Sequence, residues 1–257
     1  PCEHLESLGF EITYLEVNKN GEIDLEELKQ SITSKTILIT IMSANNEVGT
    51  ITPLKEIGNI AHKNNIIFHT DSAQAYGYIP LNVKDMNIDM MSISGHKIYG
   101  PKGIGALYVR NKNPLVKITP LIYGGGHEKG FRSGTLNVPS IVGLGMASEL
   151  AKKEMFEVSQ RVSKLRKKLF DGISSKVEVE INGNSENKLA HNLNLYFKDV
   201  DAKALINEAK DVLAISTGSA CNSEDMNPSH VLIAMGIDEE RAYCSIRLGL
   251  GKGTTER

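Results

Sequence analysis

The stretch IIFHTDSAQAYG, residues 66–77, decides the fold. IIFHT (66–70) is short and apolar and reads as a buried strand, and DSAQAYG is the polar loop that ends it. The same strand-then-loop pattern recurs on both sides. TILITIM (36–42) is a β-branched apolar run followed by SANNEVGT, and IDMMSIS (88–94) is followed by GHK. GIGALYVR (103–110) is a further strand. Between the first two strands, TPLKEIGNIAHKNN has helical spacing, with Thr52 as N-cap and Pro53 at the first helical position. Near-continuous apolar strands separated by helices predict an α/β fold with a mostly parallel sheet covered on both faces. In such sheets ligands collect beyond the carboxyl ends of the strands, so the residues just after each strand are the ones to inspect.

Residues 111–137 read as a Gly- and Pro-containing loop, and about 138–173 as one long helix. After it VEVEI, NLNLYF, VLAIS and AYCSIRLGL alternate like strands of a half-covered sheet, with DAKALINEA helical between them. A domain boundary is placed inside the long helix, giving a large domain over 1–155 and a smaller α+β domain over 156–257. No repeat or low-complexity tract interrupts the chain.

At 40% apolar and 23% charged residues the composition is that of an ordinary globular protein. A net charge of −2 gives no electrostatic case for direct nucleic-acid binding or an anionic membrane surface. No apolar run approaches the roughly 20 residues of a membrane span. Cys2, Cys221 and Cys244 are odd in number and far apart, which argues against a disulfide framework or structural zinc and fits a reducing compartment. A bacterial cytoplasmic location is the expectation.

Each polar cluster after a strand is, taken singly, an ordinary turn with capping side chains. Three at corresponding strand ends would line one cleft. Asp71 follows an apolar strand directly, where an isolated carboxylate is costly unless paired. A protonated ring nitrogen is one good partner, as in pyridoxal phosphate, which also needs a lysine for its aldehyde. Lys97 lies at the end of a later strand, with Ser94 and His96 beside it as possible phosphate ligands. A nucleotide phosphate loop is excluded by pattern. GPKGIG runs into a strand rather than a helix, and Lys102 is followed by Gly103, not Ser or Thr. Lys102 reads as a solvated turn lysine.

HTDSAQAYGYIPLNV, SISGHKIYGPKGIGALYV, GGGHEKGFRSGT and STGSACNSE…SIRLGLG together closely resemble the pyridoxal-phosphate cysteine desulfurases of the class-V aminotransferase superfamily, in the branch with a long catalytic-cysteine loop. The resemblance spans essentially the whole chain. It implies the fold-type I transferase fold, with a seven-stranded-type sheet in the large domain. It implies a homodimer with a shared active site, L-cysteine as substrate and a sulfur-acceptor protein as partner. Lys97 matches the lysine bonded to the cofactor, Asp71 the partner of the pyridine nitrogen, and Gln74 the residue on the cofactor's phenolic oxygen. Asn46 matches a residue near that oxygen and the substrate carboxylate. Ser94 and His96 match phosphate ligands, and Thr135 a phosphate contact given across the dimer. Arg247 matches the arginine on the substrate carboxylate, a role its fork suits. Cys221 matches the nucleophile that receives sulfur as a persulfide. The sulfur then serves iron–sulfur cluster assembly, tRNA thiolation or DNA phosphorothioation.

Two other activities share the scaffold, a class-V aminotransferase and a selenocysteine lyase. A non-catalytic scaffold for a sulfur acceptor is a reading from another class. The resemblance also implies that the family's Thr-Glu-His motif and early phosphate loop lie upstream of Pro1, Glu3-His4 fitting the helix after that motif. It implies, too, that the family continues beyond Arg257. His4, His62, His191 and His230 read as structural, as do Cys2 and Cys244, while His69 and His127 stay open.

Overall fold

The computed structural model describes residues 1–218 and 227–256. Two short helices, α1 (Cys2–Ser7) and α2 (Leu25–Ser31), precede the first sheet. That sheet holds β1 (Leu38–Thr40), β2 (Ile67–Asp71), β3 (Met90–Ser94) and β4 (Gly105–Val109), in the order β1-β2-β3-β4. The first three strands run parallel and β4 returns antiparallel. Helix α3 (Leu54–Lys63) makes the crossover from β1 to β2.

The sheet is held by burial. Leu54, Ile57, Ile60 and Ala61 of α3 face Phe68, Ile88 and Met91, and all are buried. Fully burying side chains of this size contributes about 1.5–3 kcal/mol each. Gly58 allows the closest approach, because a Cβ there would stand 2.0 Å from the carbonyl oxygen of Met86. Thr52 does not cap α3. Pro53 occupies the N-cap position without a side-chain bond, and the Thr52 amide donates to Ser43 O instead.

Helix α4 (Val138–Ser174) has 37 residues and starts at Asn137, whose side chain accepts from the Ser140 amide. Beyond it lies an antiparallel sheet of β5 (Val179–Ile181), β6 (Asn192–Phe197) and β7 (Ser245–Gly249), in that order. Helices α5 (Ala202–Ala209), α6 (His230–Ala234) and α7 (Glu239–Tyr243) lie between β6 and β7 in the chain. Two sequence expectations are corrected here. VLAIS is not a strand: only its last residue, Ser216, makes a bridge, to Arg247. The strand expected over AYCSIRLGL starts at Ser245, because Asp238 caps α7 through the Arg241 amide and holds Ala242 and Tyr243 in a helix that ends at Cys244.

Candidate functional site

The parallel strands β1, β2 and β3 end on one edge of the sheet, at Thr40, Asp71 and Ser94. A buried hydroxyl cluster ties this edge together: Ser43 Oγ pairs with Thr70 Oγ1 at 2.8 Å and with Ser72 Oγ. The Ser43 amide also donates to Asp71 O at 2.8 Å. Asp71 stands exposed at the rim, and among the described residues only its Oδ1 is engaged, by the Ala73 amide at 2.8 Å. Gln74 is half-buried in the turn that follows.

Ser94 leads into a 3-10 turn, Gly95–Ile98, that carries His96 and Lys97. Ser94 Oγ pairs with His96 Nδ1 at 2.9 Å, which puts hydroxyl and imidazole side by side. The turn closes on Tyr99 in the left-handed region, φ 65°, and the Gly100 amide donates back to Gly95 O. The glycines of GPKGIG therefore make a tight return into β4, as the sequence suggests. Tyr78 OH donates to Lys97 O at 2.7 Å, fixing the backbone under the lysine. The Lys97 side chain makes no ion pair among the described residues.

The second sheet reaches this edge through the segment after β1. Asn45 Oδ1 accepts from the amides of Glu47 and Val48, at 2.8 and 2.9 Å, and folds the segment into a tight turn. Arg247 Nη1 on β7 donates to Asn46 O at 3.1 Å, and Asn194 Nδ2 on β6 donates to Glu47 O at 3.2 Å. The buried Glu47 carboxylate accepts from Ser229 Oγ. Arg247 is thereby brought to Asn46 from 201 positions away. Asn46, Asp71, Gln74, Ser94, His96, Lys97 and Arg247 all lie on or beside one rim. Thr135 does not join them: it sits exposed in the loop before α4, with no hydrogen bond to any of them. Cys221 lies outside the described residues.

His69 is a brace. Its Nδ1 pairs with Thr40 Oγ1 at 2.7 Å and its Nε2 with Ser92 Oγ at 2.9 Å, linking three strands. Burial lowers its pKa against the opposing pull of Asp71. His62 is also structural. It meets the fully buried Asp89 at 3.0 Å, and Arg110 meets the same carboxylate at 2.9 Å. His127 is exposed. His191 is half-buried close to the site. Its ring lies 4.1 Å from the Tyr78 ring, its Nδ1 is buried without a hydrogen-bond partner among the described residues, and it feels the charge of Lys97. Burial first, then Arg166 and Lys97, push its pKa down to about 4. Tyr78 was within reach of the sequence, four residues past Gln74 in the same motif. Nothing in the residues around His191 points to Lys97, because only the fold brings His191 within reach of that charge.

The class-V aminotransferase family profile matches residues 1–257, the whole chain. The chain belongs to the class-V aminotransferase family. Its fold is the α/β fold expected for that family, with the parallel-containing sheet described above. A NifS-like protein of known structure superposes on this class-V aminotransferase chain with a TM-score of 0.90 at 37% identity, over 99% of this chain and 67% of that one. The structure described as SspA in complex with cysteine gives 0.83 at 40% identity, over 99% and 70%. Among curated relatives, cysteine desulfurase IscS of Rickettsia prowazekii (strain Madrid E) is 54% identical over 257 residues, and that of Rickettsia bellii (strain OSU 85-389) 53%. The chain spans 62% of the length of each. No helix among the described residues is long and apolar enough to cross a membrane.

Proposed function

We propose that this chain carries out the chemistry of a pyridoxal-phosphate cysteine desulfurase: L-cysteine gives L-alanine, and its sulfur becomes a persulfide on Cys221. The observation that carries the reading is the similarity, along all 257 residues, to relatives named cysteine desulfurase, in a chain with Cys221 in GSAC and Arg247 against Asn46.

The residues on the rim fit the cofactor. Asp71 offers a free carboxylate oxygen for a protonated ring nitrogen, Gln74 a side-chain amide, and Lys97 an amine without an ion pair. The Ser94–His96 pair offers two phosphate ligands. When bound, pyridoxal phosphate supplies a ring that takes up the electrons released as the substrate α-carbon loses its proton. Asp71 keeps the ring nitrogen protonated. Lys97 takes the α-proton and returns it. Arg247 holds the α-carboxylate through its fork, with Asn46 beside it. Cys221 acts as thiolate. In the balance, the substrate Cβ–S bond breaks, an S–S bond forms at Cys221, and the former Cβ leaves as the alanine methyl.

Thr135 is assigned to the phosphate of a second copy's site. Its exposure supports this, as do Leu121 and Tyr123 in the same loop, which leave 93% and 76% of their surface open. The same reading includes a homodimer, a boundary near residue 155 between a large and a small domain, a sulfur-acceptor protein and a cytoplasmic setting. The test is alanine formation from L-cysteine with pyridoxal phosphate and no added keto acid. Cys221→Ser should keep the cofactor absorbance and form no persulfide. Alanine production at the wild-type rate in Cys221→Ser, or a strict need for a keto acid, would sink the reading and favour an aminotransferase.

A further inference from the structure

A cavity of about 280 Å³ lies between the second half of α4 and the β5–β6 connection. Lys164, Arg166 and Lys167 line it from the helix and Lys188 from the connection, with Ser163 and Ser185 adding hydroxyls. Among the described residues no acidic side chain lines it. Lys167 is engaged outside by Asp171 at 2.7 Å. Arg166 gives one donor to Leu189 O at 2.8 Å and has no acidic partner among the described residues.

Lys188 is the decisive group. It is only 7% exposed, lines the cavity, and its Nζ has no hydrogen-bond partner among the described residues. Buried ammonium groups are ordinarily paired, because desolvation without a counter-charge is costly. Burial, followed by the neighbouring Arg166 charge, pushes this amine down to about 8. The one missing ingredient is an anion. Oxyanions suit the arrangement, since a guanidinium fork grips two oxygens, an ammonium a third, and hydroxyls the rest. The volume falls below the roughly 300–1,000 Å³ of pockets that hold drug-sized ligands, so a small group is favoured.

We propose that this cavity is an anion site taking one small oxyanion, a phosphate or carboxylate group, between Lys188 and Arg166. It shares no residue with the Asp71–Lys97 rim and does not rest on the desulfurase reading. The test is isothermal titration of the protein with sodium phosphate and, separately, sodium acetate, chloride holding the ionic strength constant. Wild type should bind at least one of the two saturably. Lys188→Met should lose that equivalent or bind it at least tenfold more weakly, and Arg166→Gln should weaken it likewise. Ser94→Ala should leave it intact, separating it from any phosphate held on the rim. Lys188→Met replaces a buried charge by an apolar chain of similar length and is expected to fold. If it does not, Arg166→Gln decides. The proposal is overturned if neither anion saturates, or if the folded variants keep the wild-type isotherm.

Discussion

His191→Phe should make the protein less sensitive to acid. The imidazole is held neutral in the fold down to about pH 4, whereas its ordinary pKa is 6.5. Its folded pKa is thus depressed for a base, and between these values the unfolded chain binds more protons than the native one. Stability therefore rises with pH across that window, and this contribution is lost as pH falls from 6.5 toward 4. Above 6.5 the group contributes no slope. At pH 5 the unfolded chain gains about 2 kcal/mol from protonating this one residue, while the native state gains almost nothing. Phenylalanine keeps a ring against Tyr78, and the unpartnered Nδ1 means that little hydrogen bonding is lost. Urea unfolding measures the difference. At pH 7.5 variant and wild type should agree to within about 1 kcal/mol, and at pH 5 the variant should be the more stable by about 2 kcal/mol. His69 shares the direction of shift but is present in both proteins, so it cancels. Parallel stability–pH profiles would refute the reasoning.

Other perturbations probe the scaffold and the rim. Asp89→Asn removes the buried charge shared by His62 and Arg110 and should cost about 3–5 kcal/mol, read as a lower urea midpoint. Gly58→Ala drives a methyl into the Met86 carbonyl and should lower the melting temperature, whereas Gly145→Ala on α4 meets no atom within 4 Å and should not. On the proposed desulfurase reading, Arg247→Lys loses the fork and the bond to Asn46, and should raise KM for L-cysteine by about tenfold or more with a smaller change in kcat.

The first sheet was readable because its strands announce themselves. Phe68, Ile88 and Met91 sit in runs too apolar to be anything but buried, and loops with Asn, Asp and Ser follow each. The Asp71–Lys97 edge follows from that order alone, since parallel strands put their carboxyl ends together. The second sheet was less clear. VLAIS has the composition of a strand yet pairs only at Ser216, which bridges to Arg247 on the outer strand β7. Tyr243 looked like strand until the Asp238 cap claimed it. Distant relations were invisible: Arg247 bonds Asn46, Lys188 shares a cavity with Arg166, and His191 feels the charge of Lys97 only in the fold. Recognising motifs supplied a role for Arg247. Nothing local supplied one for His191 or Lys188.

Helix α4 runs unbroken for 37 residues, about 55 Å. Near its start Gly143 packs on Pro101, just past the Lys97 turn, and further along Arg166 holds Leu189 beside the second sheet. Arg161 and Glu154 meanwhile grip the end of the chain through Thr254 and Lys252. A single element thus touches connections belonging to both sheets. The Lys97 turn and the connection that enters the second sheet therefore lean on one and the same helix.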